Sequence, residues 1–306
     1  MNVEALPKVL ICLATHNGFY YLQEQIESIL NQRNISISIN ISDDLSIDRT
    51  IEYLQLIIND PRIVLLPSFH KFGSAGRNFY RLIIDSDFSN YDYVAFADQD
   101  DIWLPGKLER HIELIQRHHA DGVSSNVLAF WPDGKVKLID KAQAQRGYDF
   151  LFESAGPGCT FLITAGLLVK VKNILIDHAD IAQQVTLHDW LTYAICRSLG
   201  KKWIIDPIPS VRYRQHSHNV IGANSGAKAF WSRFKKLTNG WYRQEVIKVT
   251  QVSMLLSPDP ELRKIYSTLT TPGLKNRLAL LKFLPQMRRG LKDRIYLAGS
   301  ILLGIF

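Results

Sequence analysis

The chain has 306 residues, 46% of them apolar and 21% charged, enough to fill the core of one large domain or of a domain of about 200 residues with an appendage. Glycine and proline are ordinary in number and no repeat with a period of about 20–50 residues occurs, which excludes a solenoid and a disordered chain. The net charge of +7 is unevenly spread, because residues 228–306 hold 15 Lys and Arg against 4 Asp and Glu, net +11, while the remainder carries −4.

The first apolar run, "KVLICLAT" (8–15), ends at polar residues and reads as a strand buried on both faces. "YYLQEQIESILNQ" (20–32) follows with Leu22, Ile26, Ile29 and Leu30 at helical spacing. The pair recurs as a strand over 35–42 and a helix over 46–58 with Asp48 as its N-cap, then a strand over 62–66 beyond Pro61. A helix over 75–84, a strand over 91–97 and a helix over 104–119 continue the alternation. Such a rhythm implies a doubly wound α/β sheet, in which ligands sit beyond the carboxyl ends of the strands. After residue 121 the rhythm changes: a strand and turn over 122–138 with Pro132-Asp133-Gly134 as the turn, a strand over 157–164, a helix over 187–200 closed by Gly200, and a strand over 210–216. The sheet is expected to become mixed there.

Cys12, Cys159 and Cys196 lie far apart without C-x-x-C spacing, so neither a zinc site nor a disulfide framework is expected, and reduced thiols in a cytoplasmic protein are. The apolar run at the N-terminus is too short for a signal peptide, and no segment reaches the roughly 18–20 apolar residues of a membrane span.

Two acidic groups fall where a ligand would meet the sheet: Asp43 and Asp44 after the second strand, and Asp98, Asp100 and Asp101 after the fourth. A single Asp at a strand end often caps a helix or shapes a turn. Three carboxylates within four residues repel one another unless a cation or several donors offset them, and Mg2+ or Mn2+, shared with substrate phosphate oxygens, is the economical partner. There is no G-x-x-x-x-G-K-[ST] and no dinucleotide G-x-G-x-x-G, so a nucleotide would be held by carboxylates at its sugar and base and a cation at its diphosphate.

The ordered series "LATHNG" (13–18), "ISDDLSIDRT" (41–50), "GRNFYRLI" (76–83), "FADQDDIWLPGKLE" (96–109), "GPGCTFLI" (156–163), "LHDWLTYAICRSLGK" (187–201) and "YRQHSHNVIGA" (213–223) resembles the inverting glycosyltransferases of family 2, and among them the bacterial rhamnosyltransferase-like members. The resemblance implies a GT-A, Rossmann-like fold, with a mixed, mainly parallel sheet flanked by helices. It implies that Thr15, Asn17, Gly18, Asp43, Asp44 and Arg77 hold the nucleoside of a sugar donor, a dTDP- or UDP-sugar. Asp98 and Asp100 would meet its ribose, and Asp100, Asp101 and His216 the metal and diphosphate, with His218 a neighbouring surface residue. Asp189 matches the general base, activating the hydroxyl of a glycan or lipid-linked acceptor. His188 stands where many members carry Glu; His188, Trp190 and Cys159 are candidate acceptor contacts. Each has a structural alternative: Asp189 as a charge at a helix N-terminus, Trp190 and Trp103 as core, Cys159 as a small buried residue.

The expected domains are 1–227, carrying the transferase, and 228–306, a basic helical region. Trp, Phe and Leu interleaved with Lys and Arg suit a membrane surface, or packing on the core or another subunit, rather than nucleic acid. The resulting expectation is transfer of a sugar, with L-rhamnose from dTDP-rhamnose foremost, to an O-antigen-type surface polysaccharide at the inner face of the cytoplasmic membrane. A metal-dependent nucleotidyltransferase or phosphohydrolase and a non-catalytic binding protein are the rivals, separable by the products released.

Overall fold

The computed structural model describes residues 5–216 and 239–306. They form two compact units, the first from 5–142, 156–177 and 202–216, the second from 143–155, 178–201 and 239–306. Residue 227, the expected domain boundary, lies outside the described residues, as do His218 and the start of the basic region.

In chain order the first unit runs β1 (Lys8–Thr15), α1 (Phe19–Leu30), β2 (Ser36–Asp43), α2 (Thr50–Ile57), β3 (Ile63–Leu65), α3 (Ala75–Asp85), β4 (Tyr93–Asp98), β5 (Ile102–Trp103), α4 (Lys107–His118), β6 (Gly122–Phe130) and β7 (Val136–Ile139). The chain then gives α5 (Asp149–Phe152) to the second unit and returns as a 3-10 turn over Gly158–Thr160, β8 (Leu162–Thr164) and α6 (Ala165–Asp177). After α7 (Ala179–Ala182) and α8 (His188–Ser198) in the second unit, it closes the first with β9 (Trp203–Arg214).

The strands form one sheet in the order β3-β2-β1-β4-β8-β6-β9-β5, with β7 beside β6. The β3-β2-β1-β4 half is parallel, β8 runs antiparallel to both β4 and β6, and β6 and β9 are parallel. Flanked on both edges, β1 is buried from Val9 to Thr15, as its unbroken apolar run requires. Leu22, Ile26 and Ile29 of α1 pack on it in one core with Val9, Ile11, Leu13, Ile39 and Leu108.

Two boundaries and one added element show how the structure departs from the sequence expectation for physical reasons. Helix α2 starts at Thr50 because Asp48 accepts the Thr50 amide and hydroxyl at 3.0 and 2.5 Å, holding the preceding residues as a turn. Strand β9 begins at Trp203, well ahead of 210. Its register against β6 slips between Asp206 and Val211, where Pro207 and Pro209 have no N–H to donate. Helix α6 adds an element whose β-branched Val169, Val171, Ile174 and Ile176 dilute a helical signal, although Leu167, Leu168, Val171 and Leu175 bury one face.

The second unit is helical. To α5, α7 and α8 it adds α9 (Trp241–Leu256), α10 (Pro260–Thr270), α11 (Leu274–Leu281), α12 (Leu284–Met287) and α13 (Leu291–Leu303). Its core joins Trp190 and Tyr193 of α8 with Val246 and Val249 of α9 and Ile265 and Leu269 of α10. Among the described residues no helix is long and apolar enough to cross a membrane.

Candidate active site

The carboxyl ends of β1 and β2 meet in register, Thr15 opposite Asp43. The Thr15 hydroxyl donates to Asp43 Oδ2 at 2.8 Å, while the Ser46 amide and hydroxyl donate to the same carboxylate at 2.7 and 2.5 Å. These bonds hold Leu45 at φ +55°, a conformation a branched side chain rarely adopts. The adjacent carboxylate of Asp44 accepts the backbone amides of Phe72 and Gly73, the latter at 2.9 Å. Both acids thus serve as turn makers and tie the 43–46 and 70–73 loops to the strand ends.

After β1, Asn17 takes φ +51°, which Asn tolerates, and exchanges hydrogen bonds with the second loop: its amide to Ser46 Oγ at 2.8 Å, its Oδ1 from the Ile47 amide at 2.8 Å. Gly18 opens α1, its amide donating to Thr50 Oγ1 at 2.9 Å. Asn78, which the sequence reading passed over beside Arg77, is buried and binds both strand ends through the Ser42 and Thr15 carbonyls at 2.9 and 3.3 Å. Arg77 itself is exposed in the first turn of α3.

The four residues 98–101 after β4 are fixed from two sides. Gln99 pairs with the backbone of His16, accepting its N–H at 2.7 Å and donating to its carbonyl at 3.0 Å. From β9, the Arg214 amide donates to Asp101 Oδ1 at 3.1 Å and its Nε to the Asp100 carbonyl at 2.9 Å, while its far end pairs with Glu24. Two residues on, His216 stacks on Tyr21 with centroids 5.1 Å apart and brings Nε2 to 2.7 Å from Asp100 Oδ2. The structure therefore brings Asp98, Asp100, Asp101 and His216 together, with Arg214 and Gln99 as unanticipated supports.

These residues suit a hard divalent cation. Asp101 Oδ2 is buried and finds no N–H or O–H donor among the described residues, and ligand atoms of Asp98, Asp101 and Cys159 lie within 4.8 Å of one another. Burial, then the charges of Asp100 and Asp98, hold the Asp101 carboxyl well above its ordinary pKa, a penalty that a bound cation would relieve. The carboxylates match Mg2+ or Mn2+. Burial, reinforced by Asp101, pushes the Cys159 thiol up, and its soft sulfur suits such a hard ion less than the carboxylates do. Beneath it the buried Lys107 donates to the Cys159 carbonyl at 3.0 Å and lies over the Trp103 ring. Trp103 is core.

Two expected acceptor contacts are corrected. Cys159 is 0% exposed and offers no surface to an acceptor. Trp190 is buried in the second unit, its indole N–H donating to the Phe150 carbonyl at 2.8 Å and its ring stacked against Tyr242. Each fills a gap between packed elements, the alternative its apolar surroundings in sequence already offered. His188 is also buried, and burial pushes its imidazole down to about 3, so it is neutral near pH 7. Between His188 and Trp190, Asp189 stands half-buried in the first turn of α8, its Oδ1 accepting the Trp190 amide at 2.7 Å.

A buried ionic network without a counterpart in the sequence reading binds the C-terminal helices into the second unit. Asp149 accepts from Arg197 and Arg289, each at 3.0 Å, and from the Tyr193 hydroxyl at 3.0 Å. Arg289 also donates to the Ser154 carbonyl at 2.7 Å, and Arg288 to the Phe152 carbonyl and the Tyr242 hydroxyl.

Comparison with known proteins places this arrangement. The profile of glycosyl transferase family 2 matches residues 10–166. A dTDP-rhamnosyl transferase of Shigella flexneri, RfbG, is 41% identical over 296 residues, covering 96% of this chain and all of that protein. WfaP of Escherichia coli, a UDP-Glc:alpha-D-GlcNAc-diphosphoundecaprenol beta-1,3-glucosyltransferase, is 32% identical over 212 residues, 69% of this chain and 79% of that one. The mannosyltransferase PcManGT of Pyrobaculum calidifontis, solved with GDP-Man and Mn2+, superposes with a TM-score of 0.54 at 15% identity, over 99% of this chain and 82% of that one. That likeness speaks for the fold alone, and the sheet is the mixed, mainly parallel one of GT-A glycosyltransferases with a helical C-terminal region. Matched over half its length by the profile and end to end by the Shigella protein, the chain belongs to glycosyl transferase family 2.

Proposed function

We propose that this glycosyltransferase moves L-rhamnose from dTDP-rhamnose, with inversion, to a hydroxyl of a lipid-linked glycan at the cytoplasmic face of the membrane. The observation that carries the chemistry is the 98–101 loop, where the carboxylates of Asp98 and Asp101 converge beside the Cys159 thiol and Asp101 Oδ2 is buried. The choice of rhamnose rests on the end-to-end likeness to RfbG, and that of a lipid diphosphate acceptor on the substrate in the name of WfaP.

In this reading Thr15, Asn17, Gly18, Asp43, Asp44 and Arg77 shape the nucleoside seat, and Asp98 and Asp100 meet the ribose. Asp100 and Asp101, with His216, would hold Mg2+ or Mn2+, which when bound neutralises charge on the departing diphosphate. Asp189 accepts the acceptor hydroxyl's proton as its oxygen bonds to the anomeric carbon and the bond from that carbon to the diphosphate oxygen breaks. One displacement inverts the anomeric centre and yields dTDP, a longer glycan and a proton on Asp189.

The test is a panel of sugar nucleotides with a diphosphate-lipid acceptor and Mn2+. The expected products are nucleoside diphosphate and extended glycan, and Asp189→Asn should retain donor binding while transfer falls by about 10²–10⁴-fold. Release of pyrophosphate or inorganic phosphate, or an undiminished Asp189→Asn enzyme, would overturn the proposal.

A further inference from the structure

The charge of the C-terminal region divides in two. Arg288 and Arg289 are spent inside the second unit on Glu153, Asp149 and backbone carbonyls. Lys275, Lys282 and Lys292 are exposed and Arg277 and Arg294 half-exposed, and none of the five is ion-paired with a described carboxylate. Residues 271–306 contain one acid, Asp293, which lies 3.7 Å from Arg288.

The apolar residues divide too. On α13, Leu297, Ser300 and Ile301 are buried against the unit. The opposite side should be polar in a helix that faces water. Instead Leu291, Ile295, Tyr296, Leu302 and Leu303 are 53–76% exposed. At 100° per residue these five and Lys292 fall within an arc of about 140°. Helix α11, packed against α13, repeats the pattern: Leu280 is buried while Leu274 and Leu278, one turn apart, are 63% and 50% exposed.

We propose that the outward faces of α11 and α13 are a docking surface for an anionic phospholipid bilayer, a proposal that deepens and rests on the reading of the acceptor as lipid-linked. Charge decides the occupant. A second copy of the chain would set two acid-poor cationic faces against each other, and a nucleic acid would leave the leucines without an apolar partner. An anionic bilayer satisfies both halves: acyl chains receive Leu291, Ile295, Leu302 and Leu303, Tyr296 lies at the boundary, and the exposed Lys275, Lys282 and Lys292 meet headgroup phosphates. Neither helix needs to span the bilayer, since only one face of each is engaged.

The experiment uses the full chain, without sugar nucleotide, sedimented with vesicles of equal parts phosphatidylglycerol and phosphatidylcholine or of phosphatidylcholine alone. Binding should be at least about tenfold tighter to the anionic vesicles and fall with added salt. The pair Ile295→Glu and Leu303→Glu should lower it by at least about tenfold. These positions are exposed, so an unchanged melting curve and unchanged sugar-nucleotide binding without vesicles show that fold and donor site survive. Equal sedimentation of the pair variant and the parent overturns the proposal, as does a dimeric parent that the same pair makes monomeric. Failure of donor binding with intact vesicle binding would instead sink the transferase reading and leave the surface standing.

Discussion

Replacing Gly18 by alanine asks a methyl group to occupy space already filled by the Gln99 amide. A Cβ there would lie 2.2 Å from Gln99 Oε1 and 2.5 Å from its Cδ. The backbone at residue 18 has φ −105°, which alanine adopts without strain, so the penalty falls on Gln99. Gln99 can yield only by leaving His16, to which it is bonded at 2.7 and 3.0 Å. At about 1 kcal/mol for each bond, Gly18→Ala costs about 2 kcal/mol. Gln99→Ala forfeits the same two bonds and costs about as much, but it leaves an open space. Adding Gly18→Ala to it should then cost close to nothing, a coupling of about 2 kcal/mol in a double-mutant cycle read by urea unfolding. Because Gln99 stands between Asp98 and Asp100, the Mn2+ concentration for half-maximal transfer should rise in Gly18→Ala. Additive single effects, or a Gly18→Ala protein as stable as the parent, would refute the reasoning.

Two further predictions concern the second unit. Arg289→Met removes a fully buried guanidinium from Asp149 and Ser154, and the urea unfolding free energy should drop by about 3–5 kcal/mol; a drop below about 1 kcal/mol would mean that the network adds no net stability. His188, pushed by burial from 6.5 down to about 3, refuses a proton that the unfolded chain accepts between those values. Its contribution to stability is therefore complete above 6.5 and is lost toward acid by up to about 1.4 kcal/mol per pH unit. Between about pH 7 and about pH 5.5 the parent should lose about 1 kcal/mol more than His188→Asn, and equal losses would show that the imidazole is protonated within the fold.

The sequence by itself determined the alternation of strands and helices through α4, the two-residue β5 apart, because hydrophobic periodicity is local and each longer element carries its own pattern. It also placed Asp43, Asp44 and residues 98–101 at strand ends, since the end of an apolar run marks where a parallel strand leaves the core. What each of those acids bonds to was settled only by tertiary structure. Asp44 receives the amides of Phe72 and Gly73, Asp100 meets His216 across 116 residues of chain, and Asp149 meets Arg289 across 140. Cys159 and Trp190, polar-tolerant residues beside functional motifs, turned out to be buried. Arg288 and Arg289 read like their neighbours Lys282 and Lys292, yet the first pair is spent on internal carboxylates and carbonyls while the second faces outward. A side chain's type states what it can bond to; only the folded chain decides which partner stands within 3 Å and whether water has been excluded from between them.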